Sequence, residues 1–203
     1  MSWLLAHPFE VSELVGQHLA IVGTALAAAL AIALPLGYWA ARRPAATGPI
    51  YGIFGAIYTI PSLALLALLV PILGLGFWTA VVALAAYAQM ILIRNTAAAF
   101  QGIDPAQVEA AAGLGMTRAQ QLWRVELPLA LPVIVGGVRI ATVALIAIAS
   151  VAAWINAGGL GMLFFDGIHR NDVQKIVAGC IASAALAVIA DALLRGIERI
   201  VRS

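Results

Sequence analysis

Long apolar runs, each close to the length a helix needs to cross a lipid bilayer, decide what this chain can fold into. They cover roughly residues 18–41, 50–73, 77–93, 129–155 and 176–194. A bilayer core of about 30 Å takes roughly 20 residues of helix, so each run is span-sized. Of the 203 residues, 64% are hydrophobic and 10% are charged, against about 25% charged in ordinary soluble domains. A soluble domain of this size needs a polar exterior that the composition cannot supply, so the surplus must face lipid. The runs are rich in Ala, Leu and Ile and do not alternate with polar residues, which excludes an outer-membrane barrel. The fold class expected is an all-α integral membrane protein with about five transmembrane helices.

The formal net charge is only +2, so the placement of charge says more than its total. With five crossings, Arg42, Arg43, Arg94, Arg118, Arg124, Arg195, Arg199 and Arg202 fall on one side and only Arg170 and Lys175 on the other. Positive residues collect in the cytoplasm, which places the N-terminus outside and the C-terminus inside. No Lys or Arg precedes Arg42, so the positive start of a cleavable signal peptide is missing and the N-terminus is read as retained. Residues 1–17 form an extracytoplasmic or interfacial segment, and residues 18–203 form the membrane domain. Within the former, 8–17 reads as a short interfacial helix, with a disordered lead-in as the alternative. Trp3, Trp39, Trp78 and Trp154 fall near span ends, as interfacial aromatics do. The lone Cys180 has no partner for an internal disulfide and reads as a small apolar side chain in a helix.

Residues 101–128, between the third and fourth runs, read as a helix–turn–helix on the cytoplasmic side. Asp104 caps a helix starting at Pro105, with Gln107 placed for a capping-box-like arrangement. Gly113 and Gly115 end that helix after its Ala-rich stretch. Thr117 and Gln120 repeat the cap for a second helix reaching about Glu126, and Pro128 introduces the next span. Arg118 and Arg124 against Asp104, Glu109 and Glu126 leave nothing that favours phosphate, so DNA binding is excluded. A docking element for a cytoplasmic protein fits the small residues and the single exposed acid.

Glu109-Ala110-Ala111, then three residues, Gly115, nine residues and Val125-Glu126-Leu127-Pro128 resemble the EAA loop of bacterial ATP-binding-cassette importer permeases. The family pattern ends in Ile-x-Leu-Pro, and Val125 is the one departure from it. The resemblance implies that Glu109, Ala110, Ala111, Gly115, Leu127 and Pro128 form the loop that docks on the ATPase subunit. YTIPSLALL at 58–66, IRNT at 93–96, GGVR at 136–139 and INAGGLG at 155–161 are similar to permeases for glycine betaine, carnitine, choline and related osmoprotectants. Methionine-importer permeases are the nearest rival. Asn156 stands where such importers usually have Gly, which bears on the local backbone.

Within the spans, Pro61 removes a backbone donor that Thr59 and Ser62 can offset. The three are candidates for the translocation path or its gate, against a tolerated helix proline with no gating role. Gly48, Gly52, Gly55 and Ala56 make a small-residue face suited to helix packing rather than substrate contact. Arg139 and Asp191 lie at similar depth and form a candidate intramembrane ion pair, with Arg195 as the other partner open to Asp191. His7, His18 and His169 fall near span ends and loops.

The sequence lacks a Gly-x-x-x-x-Gly-Lys-Ser/Thr loop, a His-Glu-x-x-His pair and a Gly-x-Ser-x-Gly elbow. No catalytic residue, metal site or bound cofactor is therefore expected in this chain, and ATP and Mg belong on a partner. The resemblance implies further partners: a second permease copy or similar subunit, two cytoplasmic ATPases, an extracytoplasmic binding protein and the bilayer, with no nucleic acid. Transport would run by alternating access in a bacterial or archaeal cytoplasmic membrane. The alternative from another class is an ion-gradient-driven secondary transporter. It lacks the internal repeat and midplane acids that such proteins show.

Overall fold

The computed structural model describes Trp3 and residues 6–202, with the side chain of Arg202 excepted. Helix α1 is Pro8–Arg42, α2 Pro44–Thr59, α3 Ser62–Leu73, α4 Phe77–Gln101 and α5 Pro105–Gly113. Then come α6 at Arg118–Gln121, a π turn at Leu122–Glu126, α7 at Leu127–Ala152, α8 at Gly161–His169 and α9 at Val173–Arg202. No strand occurs among the described residues. Four helical stretches are long and apolar enough to cross a membrane, and α2 with α3 make a fifth if counted as one span bent by 96°.

Helix α4 is the hub, packed mainly against α1 and α7, with α2 and α3 on its flank. Its partner α1 buries Ile21, Val22, Ala25, Ala29, Ala33 and Ala40, a stripe at helical spacing that is mostly alanine. Because lipid tails are as apolar as leucine, burial alone does not drive helices together here. Small residues that let backbones approach are what choose the contact face. A Cβ at Gly37 would stand 2.5 Å from Cβ of Thr96, and one at Gly137 would stand 2.5 Å from Cβ of Asn95. Both glycines therefore mark close crossings with α4. Gly137→Val is expected to destabilise the protein by about 1–3 kcal/mol, the usual range for overpacking. A thermal midpoint in detergent equal to the parent's would show that α7 does not cross α4 this closely.

Several boundaries differ from the sequence expectation, each for a local reason. Helix α1 runs unbroken from Pro8, so 8–17 is the first part of a long helix rather than a separate short one; residues 1, 2, 4 and 5 of that segment lie outside the described residues. The stretch before residue 50 is helical as well, because Arg43 alone joins α1 to α2 and Thr47 Oγ1 donates to the Ala40 carbonyl at 3.0 Å, closing the joint. Arg94 and Asn95 do not end the third run. Asn95 folds back on the Ile91 carbonyl at 2.8 Å and the Arg94 guanidinium lies 5.4 Å from the Tyr51 ring centroid, so both are accommodated mid-helix. Pro71 sits inside α3 without breaking it. Residues 156–175 contain a helix, α8, that the sequence reading left as loop. Much of the small-residue face of α2 is open among the described residues: Cβ atoms at Gly48 and Gly52 would meet no atom within 4 Å, while one at Gly55 would touch Met90 Cε at 3.7 Å.

Candidate functional site

The hairpin of α5 and α6 emerges from one end of the bundle. Its first helix starts where Asp104 Oδ1 accepts the Ala106 N–H at 2.9 Å. Gln107 reaches Asp104 through its backbone N–H, bonded to the Asp104 carbonyl at 3.0 Å, so this cap is a side-chain N-cap without the box expected. The helix ends in a Schellman motif: Met116 N–H bonds the Ala111 carbonyl at 3.2 Å and Gly115 N–H the Ala112 carbonyl at 2.9 Å. Gly115 has φ +77°, the left-handed value that this cap requires. Thr117 and Gln120 then form the full reciprocal capping box. Glu109, Ala110 and Gly115 are exposed, whereas Ala111 is buried inside the hairpin. Leu114, 79% exposed, forms the tip.

The second arm does not stop at Glu126 as the sequence suggested. From Arg118 to Ile155 the chain is one helical stretch, with the π turn in its path. Pro128 lies in the first turn of α7. A proline ring clashes with the carbonyl four residues back, and a wider turn there relieves the clash without breaking the helix. The π turn also directs Glu126 inward, where it forms an ion pair with Arg42 at the end of α1. Leu127 packs on a small apolar cluster of Ala99, Phe100, Ala130 and Ile134.

Thr59, Pro61 and Ser62 meet at the bend between α2 and α3. Ile60 and Pro61 are both extended, with ψ of 130° and 137°. Thr59 Oγ1 donates to the Ala56 carbonyl at 2.7 Å, and the Tyr87 hydroxyl donates to the Ile60 carbonyl. Tyr87 thus ties the bend to the hub helix, a role that no spacing in the sequence signalled. Tyr87→Phe is expected to lower stability by about 0.5–1.5 kcal/mol, the net worth of one such bond. An unchanged unfolding midpoint would remove Tyr87 from this role.

Arg139 Nη1 lies 3.2 Å from Asp191 Oδ1, while Asp191 Oδ2 also lies 2.6 Å from Arg195 Nη2. Both partners considered for Asp191 are engaged together. Glu198 adds a third contact, 3.3 Å from Arg139 Nε. These groups sit toward the hairpin end of α7 and α9, remote from the bend.

At the opposite end the chain makes a tight clasp. His18, placed near a span end by the sequence reading, lies inside α1 and is fully buried. Its Nε2 is 3.0 Å from the Ile146 carbonyl and its Nδ1 accepts the Leu160 N–H at 3.3 Å. That pairing assigns the neutral tautomer with the proton on Nε2. Gln17 Oε1 accepts the Gly159 N–H at 3.0 Å. Asn156 has φ 59° and ψ 32°, so the position usually held by Gly is left-handed and is filled by one of the few other residues that adopt it readily. Nearby, the Lys175 ammonium and then Arg170 hold the Asp166 carboxyl below its usual range, fastening α8 to the start of α9.

The chain belongs to the family of binding-protein-dependent transport system inner membrane components, whose model matches residues 33–203. It is 37% identical to the osmoprotectant import permease protein OsmW of Salmonella typhimurium, over 97% of this chain and 94% of that one. It is 36% identical to the glycine betaine/carnitine/choline transport system permease protein OpuCB of Bacillus subtilis, over 98% and 92%. In shape it resembles the MetNI methionine ABC transporter in its inward-facing conformations, with a TM-score of 0.86 at 22% identity, covering 97% of this chain and 98% of that one. That likeness bears on the fold alone. The chain is therefore a permease of a binding-protein-dependent ABC importer.

Proposed function

We propose that this permease imports a small quaternary amine of the glycine betaine, choline or carnitine kind, working as one of a pair of permease chains. The observation that carries the substrate class is the naming of relatives that match nearly end to end as osmoprotectant or glycine betaine/carnitine/choline permeases. Each hairpin at 101–128 receives one cytoplasmic ATPase through the exposed Glu109, Ala110 and Gly115, with Ala111, Leu127 and Pro128 shaping the loop from within. The chain itself is non-catalytic and binds no cofactor; ATP and Mg sit on the ATPase. An extracytoplasmic binding protein delivers ligand, and the bend at Thr59, Pro61 and Ser62 lines or gates the path. The permease domain is 18–203, in a bacterial or archaeal cytoplasmic membrane, with the hairpin inside and the His18 clasp outside. The open face of α2 supports the pairing, since it leaves small residues for another chain to approach.

Two experiments test this reading. Vesicles holding the permease, its cognate ATPase and binding protein should accumulate glycine betaine, choline or carnitine with ligand-stimulated ATP hydrolysis. Accumulation of methionine in their place would overturn the substrate class. Reporter fusions after Arg43, near Gln107 and at the C-terminus should report cytoplasm and one near Asn171 the outside; a cytoplasmic Asn171 would reverse the placement of the hairpin.

A further inference from the structure

Arg42 lies outside the motifs that carry the resemblance, and Glu126 fills only the unspecified position between Val125 and Leu127. Yet the Glu126 side chain is only 4% exposed, and its ion partner is Arg42 from another helix, whose own side chain is 41% exposed, so the carboxylate is the buried member of the pair. Burying a carboxylate is unfavourable unless it is paired, and an apolar pair of similar volume generally serves stability as well or better. A charged pair retained at such a place calls for a role beyond packing.

Its position supplies one. Glu126 sits in the π turn where the hairpin arm becomes α7, within the continuous stretch from Arg118 to Ile155. Arg42 is the last residue of α1, one residue from α2 and the bent pair. The apolar contacts around them, in which Tyr38, Ala41, Leu122 and Leu127 each pack on the cluster of Ala99, Phe100, Ala130 and Ile134, are non-directional and tolerate sliding. Between Arg42 and the Glu109 face of α5 the structure leaves a cavity of about 430 Å³, so the first arm does not pack firmly onto α1. A charge-assisted contact, unlike the apolar ones, fixes register. The Arg42 guanidinium is itself steadied 5.4 Å above the Tyr38 ring centroid.

We propose that the Arg42–Glu126 pair is a register lock that makes α1, and through it the bent pair, follow the hairpin when the docked ATPase moves it. Both are positioning residues. The inference rests on the proposed docking of the ATPase on the hairpin.

The test uses the whole importer with Glu126→Gln, Arg42→Gln and the apolar double Arg42→Met/Glu126→Leu. All three should assemble with the ATPase and hydrolyse ATP without ligand within about twofold of the parent rate, while stimulation by liganded binding protein falls about fivefold or more, the scale of a typical coupling energy. The double decides between lock and packing, since it carries no uncompensated buried charge. Normal stimulation in the double would overturn the proposal, whatever the singles do. Absence of all three variants from the membrane would reduce the pair to a fold element and also overturn it. If the parent permease itself failed to bind the ATPase, the docking reading would fall instead, and that result is separate from every variant.

Discussion

Gly115→Val is expected to abolish ligand uptake while leaving the protein in the membrane at its normal level. Gly115 holds φ +77° at the end of the Schellman motif, yet a Cβ there would meet no atom within 4 Å. The penalty is therefore conformational rather than steric. A β-branched residue pays about 1–3 kcal/mol to stay in that region, and it escapes by re-routing the turn and re-aiming α6. The exposed Glu109 reports on the same surface by charge: Glu109→Lys should leave the fold intact and reverse one interaction with the ATPase. For both variants uptake in reconstituted vesicles should fall at least about tenfold, a loss of roughly 1.4 kcal/mol of coupling. The ATPase should fail to co-purify or should hydrolyse ATP without ligand control. Arg170→Ala is the control, because Asp166 keeps Lys175 when Arg170 is removed. Normal uptake and normal coupling in both hairpin variants would refute the docking role.

The second large effect comes from a single methyl group. A Cβ on Gly161 would lie 1.9 Å from the Ser150 carbonyl oxygen and 2.8 Å from Cβ of Ala153. The first obstacle is backbone of α7 and the second the methyl of the residue that follows it, and neither can turn aside as a long side chain would. Gly161→Ala should therefore displace the start of α8 and pull Gly159 and Leu160 from Gln17 and His18. One buried and one partly buried hydrogen bond are then lost, and the buried groups left unsatisfied cost about 1–3 kcal/mol. Folded yield after detergent extraction should drop several-fold, while Gly52→Ala, where nothing lies within 4 Å, should match the parent. Equal yields for the two variants would mean that the close approach at Gly161 is not a feature of the folded protein.

Helix existence was legible because lipid-facing runs need only length and apolarity, and both are local properties. The caps at Asp104 and Thr117 were legible for the same reason, since a side chain and a backbone N–H two or three residues on share one turn. The ends of α1 and α4 were not. Arg94 and Asn95 are polar and residues 8–17 carry Glu10, Glu13 and Gln17, and such groups read as a stop unless a distant partner absorbs them. Here Tyr51 receives Arg94, and Lys175 lies 3.7 Å from Glu10. The pairings of His18, Tyr87, Glu126 and Glu198 were not legible because their partners lie at least 27 residues away along the chain. No periodicity encodes that. The right angle at Pro61 was half legible: proline announced a break, but its size depends on Ile60 being extended too.

The clasp at His18 also has a consequence for how the protein is made. His18 waits for Ile146, 128 residues later, and for Leu160, 142 residues later. At roughly 5–20 residues per second of synthesis, the first helix stands for about 7–28 s with its imidazole still lacking these partners. Hydrocarbon offers such groups no substitute for water. During that interval α1 must linger beside the insertion machinery or ride shallow in the bilayer, and the ribosome has to finish the fourth span before the first can settle. A nascent chain stalled before residue 160 would expose this open polar seam, giving membrane quality control a physical mark by which to tell an unfinished molecule from a completed one.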